Sequence, residues 1–140
     1  MKHLFRRTII ALIACLCCFS FASCGNGIKG SEAKTTINDF FAAVSVEDYE
    51  KAEGLLHPDR PADLKDFFTY AETEKGLDFQ KGVEIEQYTG FSTALYDGSV
   101  GGSTYELTMQ ARIGDKQVEF KIELVKNKNG YGIYNFYLDT

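Results

Sequence analysis

Tryptophan is absent, proline occurs twice and cysteine four times in 140 residues. So few prolines exclude a proline-rich linker protein. No apolar run reaches the roughly 18 residues that mark a membrane-spanning helix. Neither a collagen-type glycine repeat nor a coiled-coil run is present. With 44% hydrophobic and 25% charged residues, the composition is that of a folded chain, and the length is that of one domain.

Residues 1–23 read as an export signal. Lys2, Arg6 and Arg7 make a positive front end, and Thr8 to Ala22 is a nearly charge-free apolar stretch of 15 residues. Two processing sites overlap. Ser20-Phe21-Ala22 is a small-x-small site that an ordinary signal peptidase cuts after Ala22. Phe21-Ala22-Ser23-Cys24 resembles the bacterial lipobox, where cleavage falls just before a cysteine bearing a diacylglycerol. Small residues in front of the thiol suit that chemistry, although Phe21 stands where the pattern usually has Leu.

Cysteine usage favours the lipobox. Cys15, Cys17 and Cys18 all lie in the signal, which leaves Cys24 alone in the exported chain. A leftover thiol on an exported domain needs a purpose, and acylation supplies one. The expected organisation is a signal over 1–23, a lipidated Cys24 with a tether over 24–30, and a domain over 31–140. That domain has no disulfide and is held by its core. Two or more acyl chains anchor stably where one is marginal. The expected location is the cell membrane on its extracytoplasmic face. In a two-membrane cell the outer membrane is open to it, since no Asp follows Cys24.

Removing the signal takes three positive charges, so the net charge moves from −5 to −8. An acidic domain is unsuited to nucleic acid, whose phosphates demand a basic face. Gly25, Gly27 and Gly30 spell the glycine spacing of a dinucleotide site. That site needs a strand before the glycines, and here a lipidation cysteine precedes them. The spacing therefore reads as tether, and no cofactor is implied.

Helical periodicity comes first along the domain. Ala33, Ile37, Phe40, Phe41 and Val44 recur at three- and four-residue steps behind a capping Ser31. Ser45-Val46-Glu47-Asp48 reads as a capping box opening a second helix, with Tyr49, Ala52, Leu55 and Leu56 inward and His57-Pro58 as its stop. Pro61 suits the first turn of a third helix with the stripe Leu64, Phe67, Phe68 and Ala71, and Gly76 suits its left-handed cap. From Val83 the period becomes two. Val83 and Ile85, then Tyr105 to Ile113 and Val118 to Leu124 alternate with polar residues, and Ile133 to Leu138 closes the chain as a last strand. Turns are expected at Asp97-Gly98 with Gly101-Gly102, at Gly114-Asp115 and over Asn127 to Gly130. The fold class is α+β, with N-terminal helices packed on an antiparallel sheet.

The segments Ile37-Asn38-Asp39-Phe40-Phe41, Asp48-Tyr49-Glu50-Lys51-Ala52 and Leu55-Leu56-His57-Pro58-Asp59, ahead of a third helix and long strands, resemble the nuclear transport factor 2-like superfamily. The likeness is to its branch of small bacterial lipoproteins of unknown function and spans about Ser31 to Asp139. It implies a strongly curved sheet wrapped round helices as a cone with a cavity at its wide end. Members include isomerases, dehydratases and polyketide cyclases, and also non-catalytic binding and dimerisation domains. The fold alone does not choose among them.

Enzymes of that superfamily place an Asp, His or Tyr in the cavity. His57 is the only histidine after the signal and hence the catalytic candidate. Its plainer role is that of a residue at a helix C-terminus, where partial positive charge is favoured. Glu47, Asp48, Glu50 and Glu53 crowd the start of the second helix, and Asp63, Asp66, Glu72 and Glu74 ride the third. Both groups read as solvated faces. No metal-ligand spacing and no nucleophile elbow occur. Tyr88, Tyr96, Tyr105, Tyr131, Tyr134 and Tyr137 all fall in the strand region, where some of them can line a pocket for a small apolar or aromatic ligand. The functional expectation is a membrane-anchored, non-catalytic binding or interaction module, with a protein partner or a homodimer on the outer sheet face. The alternative is a small-molecule isomerase or cyclase using a residue in the cone.

Overall fold

The computed structural model describes residues 27–96 and 101–140. The expected signal, Cys24, the first part of the expected tether and the turn expected at Asp97-Gly98 lie outside the described residues. The order of elements is α1 (Gly30–Ser45), α2 (Tyr49–Glu53), α3 (Leu64–Lys75), a 3-10 turn (Phe79–Lys81), then β1 (Val83–Tyr96), β2 (Gly102–Ile113), β3 (Lys116–Asn127) and β4 (Gly130–Asp139). The strands form one antiparallel sheet in the order β1-β2-β3-β4. The class is α+β, as the change of period implies.

The expected stripe of α1 is buried in full: Ala33, Ile37, Phe40, Phe41 and Val44. It packs on the inward positions of β2 and β3, namely Leu107, Met109, Ala111, Ile113, Val118, Phe120, Ile122 and Leu124. Phenylalanine dominates where helix and sheet meet. The Phe41 and Phe120 rings lie 4.8 Å apart, and Phe136 lies 5.9 Å from Phe40 and 5.4 Å from Phe120. All three pairs are tilted, and close aromatic pairs add about 0.5–1.5 kcal/mol each beyond the area they bury.

Helix boundaries differ from the expectation in four places. Ile28 is buried and α1 already begins at Gly30, so the fold takes up the end of the expected tether. Ser45 does not cap α2. It closes α1, donating its hydroxyl to the Ala42 carbonyl, and Asp48 caps α2 by accepting from the Lys51 amide at 3.2 Å. Between them Glu47 adopts φ 56° and reverses the chain. Pro61 precedes α3 rather than opening it, because Asp63 is the cap, accepting from the Asp66 amide. Most consequentially, α2 ends at Glu53, four residues before His57. Gly76 does take the left-handed cap of α3, at φ 64°.

β1 is longer and less regular than its alternation suggested. Val83, Ile85, Tyr88 and Phe91 stand opposite Ile113, Ala111, Met109 and Leu107, and the register shifts between Ile85 and Gln87 and again between Tyr88 and Gly90. Each shift is a bulge, which bends the strand and moves the inward position on by one residue. A third shift faces Glu123 and Leu124, where β4 carries Tyr134 as its extra residue.

Candidate functional site

With α2 ended, the chain from Leu55 runs against β4 instead of coiling on. Leu56 bridges Ile133 in parallel. The His57 amide donates to the Ile133 carbonyl at 2.8 Å, and the Ile133 amide donates to the Leu55 carbonyl at 2.9 Å. Gly132 makes this approach possible. A Cβ there would stand 2.6 Å from the His57 nitrogen and 2.7 Å from the Leu55 oxygen, both backbone atoms. Pro58 then sits inside a tight turn closed by the Arg60 amide on the His57 carbonyl at 2.8 Å. That is the position for which proline's fixed φ is suited.

His57 is 0% exposed, and hydrogen bonds engage both ring nitrogens. The Asp59 amide donates to Nδ1 at 3.1 Å, and Nε2 lies 3.1 Å from Asn127 Oδ1. That same oxygen accepts from the Asn129 amide at 2.8 Å and the Gly130 amide at 3.2 Å, which fixes the orientation of the Asn127 side chain. It follows that Nε2 carries the proton and donates it, while Nδ1 accepts. The Asn129 side-chain amide meets both carboxylate oxygens of Asp59 at 3.1 Å, and the Asn127 amide reaches Asp59 at 3.4 Å. The hydrogen bond from Asn129 holds the Asp59 carboxyl below its usual range against the opposing effect of desolvation, with help from Asn127 and Lys128. A loop near residue 57 is thus stitched to the hairpin between β3 and β4.

Beside the stitch lies a cleft of about 200 Å³. Its walls are apolar: Phe40 and Leu56 within, Leu64, Phe67 and Phe68 from α3, and Phe136 from β4. Tyr134, the bulge residue, stands at its edge between two groups. The His57 ring meets it edge-on at 5.5 Å, and the Arg60 guanidinium lies over its face at 4.7 Å. Bulges commonly re-aim a side chain in this way. Arg60 is the one charged residue in the lining.

The enzyme reading requires His57 to face a cavity within reach of an Asp or Tyr. Its Nδ1 lies 3.6 Å from an Asp59 carboxylate oxygen and its ring touches Tyr134, but it is not in the cleft lining, and both nitrogens point into the stitch. Nor does it sit at a helix C-terminus, since α2 has already ended.

The acids are dispersed. Asp48 and Asp63 cap helices, a Glu53 oxygen lies 3.4 Å from the Leu64 amide, and Glu47, Glu50, Asp66, Glu72 and Glu74 are exposed. Among the described residues no group of three His, Cys, Asp or Glu side chains is placed to hold a metal, and no helix is long and apolar enough to cross a membrane.

Of the tyrosines, Tyr134 alone lines the cleft. Tyr131 bonds Thr36 at 2.9 Å, and burial above all raises its pKa. Tyr88 lies under Lys34, Tyr105 stacks on Phe91, Tyr137 is exposed, and the Tyr96 side chain lies outside the described set. Arg60, Asn127, Asn129 and Gly132 were not among the candidates. Asn127 and Asn129 read only as turn residues, because nothing local links them to His57 and Asp59, each 70 positions from its partner.

No protein-family model matches this chain, and no curated protein or solved structure is significantly similar to it.

Proposed function

We propose that this protein is a membrane-anchored, extracytoplasmic lipoprotein whose domain is a non-catalytic binding module. The observation that carries the reading is the apolar cleft behind Tyr134, next to a histidine whose two nitrogens are spent on holding its wall. A small aromatic or aliphatic group fills the cleft, and Arg60 at its mouth meets a carbonyl or anionic end. The lipobox ending at Cys24 supplies the anchor and the location. The order of helices before strands, together with the bulges of β1, supports the nuclear transport factor 2-like cone as the finer description of the fold. The cleft then takes the place of the cone's cavity.

The test is mass spectrometry of the processed full-length protein extracted from membranes. The denatured mass carries diacylglycerol on Cys24. The native mass carries a small-molecule adduct, which Ala62→Trp removes by filling the exposed mouth of the cleft and Arg60→Ala weakens. An unmodified Cys24 refutes the anchor. A bare native mass, unchanged in the Ala62→Trp variant, refutes small-molecule binding and leaves a protein partner as the object of search.

A further inference from the structure

We infer that the end of the sheet carrying Phe91 and Leu95 rests on the lipid surface that holds Cys24. The inference rests on the anchoring proposed above and adds the orientation of the domain. Phe91 is 74% and Leu95 83% exposed. By register they belong to the inward face, opposite Leu107 and Ser103. Helical cover stops short of them, because α1 starts at Gly30, against the Tyr105 hydroxyl. The apolar face therefore outruns the helices at this end.

The same stretch lacks the devices that protect an edge strand in water. β1 has no strand on its outer side among the described residues. From Gln87 to Tyr96 there is no charged residue and no proline, and beyond Gly90 no bulge. Soluble proteins blunt such edges with charge, proline or bulges, since a bare apolar edge invites association. This edge is uncharged in a chain whose net charge is −5.

The path of the chain names the cover. Gly27 and Ile28 line a recess with Thr93, Leu95 and Thr104, so the polypeptide enters the fold beside Leu95. Cys24 lies three residues before Gly27, at most about 10 Å of extended chain. Acyl chains on Cys24 hold the membrane within that distance of an uncharged apolar surface. A second copy is the rival occupant of this edge, but the tether brings bilayer to it in every molecule, at any protein concentration.

The test uses the acylated full-length protein in phosphatidylethanolamine–phosphatidylglycerol vesicles, spin-labelled at Leu95→Cys or, as a reference, at Asp115→Cys. Leu95 is exposed, so the substitution removes little packing. Asp115 lies in the β2–β3 turn at the far end of the strands, where Ile113 pairs with Lys116. The expected result is a label at 95 that oxygen relaxes well and a water-soluble nickel chelate reaches several-fold less than the label at 115. Equal nickel access at both sites, with Cys24 acylated and the protein on vesicles, overturns the orientation and leaves the anchor standing. Dipolar broadening between labels at 95 overturns it in favour of a second copy. Absence of acyl mass on Cys24 removes the anchor, and this inference with it.

Discussion

The two edges of the sheet are finished in opposite ways. The β4 edge is closed by its own chain: Leu55 and His57 exchange backbone hydrogen bonds with Ile133, Gly132 lets them approach, and a buried imidazole ties the loop to Asn127. The β1 edge ends in Phe91 and Leu95, both largely exposed and uncharged. One edge spends polar groups and a glycine on becoming interior, and the other leaves apolar surface outside. The difference separates a scaffold from a surface. It also places the chain's only described histidine on the scaffold side.

That contrast can be broken by mutation. The largest effect is expected from His57→Ala, which opens a buried cavity and strands the hydrogen-bonding groups around the ring, at a cost of about 3 kcal/mol in denaturant unfolding. A loss below about 1 kcal/mol would mean that the loop is not held by the imidazole. Gly132→Ala comes next, at about 2 kcal/mol, because the new Cβ meets backbone that has no rotamer to yield. It should also release the amides of His57 and Ile133 to hydrogen exchange, and continued protection of both would contradict the close approach.

Asp59→Asn should show a smaller, pH-dependent effect. Asp59's carboxyl is lowered in the folded state, chiefly by Asn129, so its contribution is present above the ordinary carboxylate range and fades as pH falls through the folded value. The gap in stability between wild type and variant should therefore close on acidification below about pH 4. A gap that stays constant would remove the carboxylate from the stitch. The smallest effect belongs to the other edge: Leu95→Asp should leave stability of the soluble fold within about 0.5 kcal/mol of wild type. A larger loss would show that the chain itself covers that edge.

How far the sequence could be read follows from the same two regions. The stripe of α1 and the alternation of β2 and β3 were plain, because one face of each is buried along its whole length and the period survives. β1 was readable only as far as Ile85. Two bulges then move its inward positions to Tyr88 and Phe91, a spacing of three that breaks the alternation of a strand. The end of α2 was misplaced because Leu55 and Leu56 fit a helical face equally well, and only the distant Ile133 draws them into a bridge. His57 was found as a residue, but its role was not, since its partners depend on register and on a hairpin turn. Tyr134 stood among six candidate tyrosines with nothing local to set it apart. Its position is a property of the bulge.

The bridge between Leu56 and Ile133 also bears on the order in which the molecule can be built. Its two sides lie 77 residues apart and join an early loop to the last strand. Loop closure of that length is slow relative to local helix or hairpin formation. As the chain is made from its amino terminus, α1, β2 and β3 are all complete before β4. The wall of the cleft waits for the carboxyl-terminal hairpin, so the cleft is the last part of the fold to be completed.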